Sequence, residues 1–286
     1  MKMKKLGLFL TAGCMSYACM AYADDKQGGA NAGDGGMPVA ADTSAAPAST
    51  AATVPAALFS GDVEFRTNFV ARGISQSQGQ PSLQAEIDVN SGDGIYGGID
   101  GDSINWIDRL YPGDSVDTEL DAWLGYRRHF GSGWITKAGL VRIQFPGHYM
   151  QQSPPADQPN ATEAFGYLAW KSLSAQLNYA VTNYVGTPDS KGTVYLSVSA
   201  SQPVDGPWTL DASIGRVAHT GHDPITGQPN SRFDATDYKL SVACAIGSGI
   251  SLTLAHTWTN AAPSTYTLDG YDLAGHHAWL SLEKVF

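Results

Sequence analysis

Charged residues make up only 15% of this 286-residue chain, against roughly 25% in an average soluble domain. A charged surface is therefore not what keeps the protein in its place. Positive charge is scarcest: 17 Lys and Arg stand against 27 Asp and Glu, a formal charge of −10. Lacking a basic patch, the chain has nothing with which to neutralise a phosphate backbone, and a nucleic-acid partner is excluded. Cysteine numbers three; two of these, Cys14 and Cys19, fall in the first segment, so Cys244 stands alone and no internal disulfide framework forms. Long apolar runs are missing too, since beyond the first segment no stretch reaches the roughly 18 residues that a membrane-crossing helix needs. Any membrane role has to come from strands.

What is abundant is glycine, 32 residues, and rings, 7 Trp, 13 Tyr and 9 Phe. Such a composition excludes disorder and disfavours a helical bundle. Residues 1–23 have a basic start, an apolar stretch and then Ala21-Tyr22-Ala23, the small-x-small pattern of a cleaved signal peptide. A lipid-attachment box at Thr11-Ala12-Gly13-Cys14 competes with it, but has Thr where Leu is expected and a short apolar run before it. Cleavage after Ala23 removes Lys2, Lys4 and Lys5 and takes the mature charge to −13. Residues 24–57 are Gly, Ala, Pro, Ser and Thr with almost no large apolar side chain, a composition that cannot offset its own ordering entropy, and are expected to be a flexible linker.

From residue 58 the pattern changes to period two. Leu83, Ala85, Ile87 and Val89 alternate with Gln84, Glu86, Asp88 and Asn90, and Val194, Leu196, Val198 and Ala200 alternate with Tyr195, Ser197, Ser199 and Ser201. Twelve strands are predicted, over 59–69, 81–91, 95–106, 118–130, 134–145, 162–171, 173–183, 192–202, 208–217, 233–246, 250–259 and 272–286. Their connections alternate between tight, Gly-rich steps such as Gly92-Asp93-Gly94 and long segments such as 70–80, 146–161 and 218–232. Strands of about ten residues with alternating short turns and long loops predict an all-β fold: a transmembrane antiparallel β-barrel of about twelve strands, with short periplasmic turns and long extracellular loops.

A soluble β-sandwich also alternates apolar and polar residues, but its strands average nearer five or six. Aromatics near strand ends, Phe69, Trp106, Phe130, Trp134, Phe145, Trp208 and Trp258, fit interfacial girdles. The chain ends on Phe286, with Leu282, Leu280 and Ala278 at alternate positions before it. That ending resembles the signal by which the barrel-assembly machinery takes up a C-terminal strand, although Lys284 falls where an apolar residue is preferred. The expected location is the outer membrane of a Gram-negative bacterium, with outer-membrane lipid around the barrel.

With apolar residues facing lipid, the inward set includes Glu64, Arg66, Glu86, Asp88, Glu119, Asp121 and Arg127 as pore-lining candidates, joined by Asp62, Asn68, Arg142, Asp211, Lys239 and Glu283. Acids outnumber bases, so such a lumen favours cations; a narrow barrel also packs its interior with pairs of this kind. In strand 134–145, Lys137 and Val141 share a face, which suggests a bulge.

The run Gly61-Asp62-Val63 to Arg72-Gly73-Ile74-Ser75-Gln76 and Pro81 resembles the first hairpin of the TorF family of porins. Tyr96-Gly97-Gly98 with Ser103, Ile104 and Trp106, and Glu119-Leu120-Asp121 with Gly125-Tyr126, are similar to that family's next strands. Asp100 departs from the pattern, standing where an apolar or aromatic residue is expected. The resemblance implies an outer-membrane channel passing small hydrophilic solutes or ions, without naming the solute. Within the motif, Arg72–Gln76 reads more simply as a tight turn set by Gly73 than as an inward-folded constriction.

Chemistry beyond passage finds little support. The acids of Asp108–Asp117 lack the ligand spacing of a calcium loop. His219 with His222, and the adjacent His276 and His277, fall short of a catalytic zinc set, and no Gly-x-Ser-x-Gly elbow occurs. No catalytic residue, metal or cofactor is assigned. The alternative to a channel is a non-conducting structural or adhesive barrel that binds a partner through its long loops.

Overall fold

A computed structural model describes residues 59–110, 113–131, 133–149 and 158–286. The expected signal peptide, the box at Cys14 and the linker lie outside the described residues. The chain forms a closed barrel of twelve antiparallel strands. These are β1 (Phe59–Arg66), β2 (Ser82–Asn90), β3 (Ile95–Ser103), β4 (Thr118–Phe130), β5 (Trp134–Gln144) and β6 (Ala161–Trp170). The second half has β7 (Leu173–Ala180), β8 (Val194–Pro203), β9 (Trp208–Ala218), β10 (Ala235–Gly247), β11 (Ile250–Thr259) and β12 (His277–Val285). Each strand pairs with its chain neighbours, and β1 closes the ring against β12 with Glu64 opposite Glu283. Closure gives every strand two partners, so no edge is left to be satisfied. Beyond β12, the Phe286 N–H donates to the Gly61 carbonyl at 2.9 Å and tightens this seam.

Period two in the sequence becomes two surfaces. Phe65, Leu83, Ile87, Leu124, Leu140, Leu196, Leu240, Leu254 and Leu280 point outward and are exposed. Their neighbours along the chain, Arg66, Gln84, Glu86, Trp123, Ser197, Lys239, Ala255 and Ser281, point inward. Cys244 faces outward in line with Val242, opposite Trp208 and Leu252 on the neighbouring strands. One end of the barrel carries the tight turns. Lys171, at φ 54°, and the Gly247-Ser248-Gly249 step use the left-handed backbone that two- and three-residue hairpins demand. Phe130, Trp134 and Trp208 are exposed at this end, with Trp134 stacked on Trp170 at 5.7 Å.

At the opposite end the long loops fold over and into the barrel. Here the expectation of a girdle fails for three residues: Phe69, Trp106 and Phe145 are at most 2% exposed and form an apolar core beneath the loops. Trp106 opens a short helix, α1 (Trp106–Leu110), and meets Phe145 edge to face at 5.7 Å. Loops that turn inward offer these rings a drier site than the barrel rim.

Candidate functional site

Charge is distributed unevenly around the lumen. The inner faces of β1 to β4 carry Asp62, Glu64, Glu86, Asp88, Asp100, Asp102, Glu119 and Asp121, whereas β7 to β11 present mainly Ser, Thr and Ala. All the acids expected inside from these first four strands are inside, and Arg66 pairs with Asp102 and lies 3.7 Å from Glu64. Arg127 also faces in, near the short-turn end, where it donates to the Asn90 side chain at 2.9 Å. Asp100 and Asp102 are inward residues that the sequence reading did not place in the lumen; Asp102 lies between the small Gly101 and Ser103, whereas Asp100 follows the outward, exposed Ile99.

Arg142 is a correction. Register sets Asp121 opposite Ile143 and Ala122 opposite Arg142, so Val141, Ile143 and Lys137 face inward and Arg142 faces out. β5 pairs regularly with β4 throughout, without the suspected bulge. Arg142 stands near the long-loop end of its strand and donates to the Thr162 hydroxyl at 3.0 Å. A guanidinium outside the apolar band needs no lumen to be solvated.

The first loop, residues 67–81, crosses the lumen. Val70–Ala71 and Ile74–Ser75 form a miniature ribbon whose turn is Arg72 and Gly73, both in the left-handed region. This is the tight turn expected from the motif, but it is also an inward-folded constriction, so the simpler reading was incomplete. Asn68 organises the loop, its side-chain oxygen accepting from Ser75 Oγ at 2.7 Å, Ser77 Oγ at 3.2 Å and the Gly79 N–H at 3.1 Å. Ser75 N–H donates to Leu273 in the last loop, and Gln76 accepts from the Asn105 N–H in the second. Ser75 and Gln76 are fully buried.

At the tip, Arg72 reaches the far wall. Its two terminal nitrogens grip the Glu163 carboxylate of β6 at 3.2 and 2.9 Å, and one also donates to Tyr184 Oη at 2.6 Å. The guanidinium lies over the Tyr195 ring of β8 at 4.4 Å. Gly73 touches β10 and β11 so closely that a Cβ there meets Thr259 Cγ2 at 2.4 Å and Asp237 Cβ at 2.7 Å. The loop is thus a plug wedged across the bore.

Below the plug, a cavity of about 260 Å³ extends to the Lys171-Ser172 turn. Phe69, Val70 and Ala71 form its ceiling, and its walls include Trp279, Lys239, Asp211 and the hydroxyls of Ser199, Ser213 and Ser241.

The histidines scatter. His276 lies on the outer wall beside His256 at 3.4 Å, while His277 turns inward to the Leu273 carbonyl. His219 is buried against Tyr184 and Phe233, with Nδ1 3.3 Å from Asp234 Oδ1. Burial holds its basicity below the ordinary histidine value, and Asp234 only partly offsets this. In the second loop, Asp108 accepts from the Val116 N–H at 2.6 Å, so this carboxylate closes a turn.

A match to a family of bacterial proteins of unknown function, Gcw_chp, covers residues 46–286. The chain belongs to the Gcw_chp family. No curated protein sequence matches this Gcw_chp member. Among solved structures it is similar to the KdgM porin, at 8% identity, TM-score 0.48, over 79% of this chain and 99% of that one. It is also similar to the NanC porin, at 10% identity, TM-score 0.47, over 79% and 98% of the respective chains. The translocator domain of the autotransporter NalP from Neisseria meningitidis matches at 10% identity, TM-score 0.39, over 82% and 90%. At these values the likenesses carry nothing about what occupies the lumen.

Proposed function

We propose that this barrel spans a bacterial outer membrane as a porin-like channel, passing small hydrophilic solutes by diffusion and favouring cations, with the first loop as its plug. The observation that carries the membrane location is the outer wall. Leu124 at 65%, Leu240 at 53% and Leu254 at 51% exposure belong to an apolar face that continues around the ring. Each such side chain left in water forgoes about 1.5–3 kcal/mol of transfer free energy, which a hydrocarbon surround supplies. Inside, the acids of β1 to β4 give a field that attracts cations and repels anions. The likeness of Arg72–Gln76 to the TorF porins points the same way. On this reading residues 1–23 are removed on export, and Phe286 is presented to the assembly machinery.

The plug favours a second reading, a barrel that conducts nothing and works through its loops. Single-channel current across a planar bilayer in a salt gradient separates the two. Conductance steps with a cation-shifted reversal potential support the channel; a folded, inserted protein that passes no current under any applied voltage leaves the structural barrel.

A further inference from the structure

The inner faces of β1 to β4 hold more than a diffuse field. Cross-strand register places Asp62 opposite Glu86, Glu86 opposite Asp100 and Asp100 opposite Asp121, so four neighbouring strands present an acid at one height. The adjacent row toward the plug brings together Glu64, Gln84, Asp102 and Glu119. Like charges directly opposite one another destabilise a sheet, and Arg66 forms ion pairs with Asp102 and Glu64 of these two rows.

Arg66 Nε, 3.7 Å from Glu64, is one buried donor without a hydrogen bond here, but the leftover acceptors outnumber it. Both carboxylate oxygens of Glu119, one each of Glu86 and Asp121, and the amide oxygen of Gln84 are buried with no hydrogen-bond donor, on residues at most 5% exposed. Gln84 makes the case independently of charge. Its amide group donates to Asp100 Oδ2 at 3.1 Å, which fixes which end of the side chain is the oxygen and leaves that oxygen without a donor. A ligand that meets several buried oxygen acceptors on the side of the strip away from Arg66 is a cation, and oxygen surroundings suit a hard one.

The spacing limits how it is held. Among the described residues no three acidic, histidine or cysteine side chains converge tightly enough to chelate an ion by themselves, so the ion keeps part of its water shell and bridges neighbouring rows. The cavity supplies the way in, because Glu64, Arg66 and Gln84 line its upper end while Lys171 and Ser172 line its lower one. We propose that this two-row strip is a binding site for a hydrated, calcium-like cation entering from the short-turn end. The proposal goes beyond the channel reading, since such a site fills whether or not the plug ever opens.

Terbium(III), a luminescent stand-in for calcium, tests it. Trp123 shares the inner face of β4 with Asp121 and serves as the antenna. The refolded full chain in detergent, titrated with terbium chloride under tryptophan excitation, is expected to give saturable emission that calcium displaces and equimolar sodium does not. Glu119→Gln with Asp121→Asn is expected to weaken terbium binding at least tenfold, while Asp205→Asn on an exposed short turn leaves it unchanged. Gln84→Leu, which removes an oxygen but no charge, is expected to weaken it several-fold and decides the matter if the double variant fails to fold. Absent saturable emission, or emission unaffected by these strip variants, overturns the proposal. Terbium binding in a protein that never conducts removes the channel and keeps the site; conductance without terbium binding does the reverse.

Discussion

Arg72 and Glu163, 91 residues apart in the chain, form a two-pronged ion pair inside the barrel, at 2.9 and 3.2 Å. Their side chains are 7% and 1% exposed, so neither charge has water to fall back on. Removing one partner of a buried pair costs about 3–5 kcal/mol because the other charge is left uncompensated. The plug has a cheaper escape, which is to leave the bore and take Arg72 into solvent. Arg72→Ala and Glu163→Gln are therefore each expected to raise the open fraction in single-channel recordings, with the double variant little different from either one. Unchanged closed-state occupancy in both single variants rules out this pair as the latch.

Gly73 tests the same plug without touching charge. Its φ is 76°, and an added Cβ meets Thr259 and Asp237 well inside contact distance. Gly73→Ala is expected to keep the strand signal in circular dichroism, because the barrel ladder does not involve this residue, while exposing the first loop to protease from the long-loop side. Protection equal to that of the parent chain shows that the loop seats differently.

The strands were legible because period two survives in almost all of them and the turn chemistry divides them. What blurred the inner face was local. In β3 the apolar marker stops at Ile99, so Asp102 lies between the small Gly101 and Ser103, while Asp100, beside Ile99, was within reach of the pattern. In β5 a charge near the strand end was assigned to the lumen, although at that height the outside also solvates Arg142. The plug was illegible for a different reason. Arg72 finds Glu163, Tyr184 and Tyr195 only after the barrel closes, and no periodicity links residues so far apart. Phe69, Trp106 and Phe145 were misread as girdle residues for the same cause, since only the inward turn of the loops buries them.

His219 gives the long-loop end a dependence on pH. Its ring is buried beside Tyr184 and Phe233, with Arg72 near enough to disfavour a second positive charge, and Asp234 is the acid that contacts it among the described residues. Asp234 in turn sits below its ordinary value: burial pushes it up, but the His219 ring and backbone N–H, with the Arg216 charge, outweigh that. Both groups bind protons more readily unfolded than folded, so their contribution is lost as pH falls. For His219 it is complete above its ordinary value of 6.5 and disappears below it, through the lowered folded value. The protection of the amides in residues 219–234, taken relative to their intrinsic exchange rate at each pH, is expected to fall between pH 7 and pH 5, and His219→Phe to flatten that response. A flat profile in the parent chain removes His219 as its cause.

The acids of the lumen should set which ions pass once the plug is displaced. Neutralising Glu86, Asp88, Glu119 and Asp121 to Gln or Asn removes four inward charges from β2 and β4, and is expected to lower the cation-to-anion permeability ratio in the Gly73→Ala background. The reversal potential in a salt gradient reads this directly. If it stays where it was, the field of these strands does not govern selectivity, whatever else they bind.

Leu254 lies mid-way along β11, points outward and is 51% exposed; Thr253 beside it lines the cavity. If hydrocarbon surrounds the wall, Leu254→Arg places a guanidinium near the depth where it costs about 2–4 kcal/mol, whereas Thr253→Lys keeps its charge in the aqueous lumen, whose lining also holds Asp211 and Glu283. Reversible urea unfolding in lipid vesicles is expected to show the first loss and only a small change for the second. The contrast matters more than either value, because both variants add one positive charge to adjacent positions of one strand. Equal effects mean that the two faces meet the same medium, which a barrel in a bilayer does not allow.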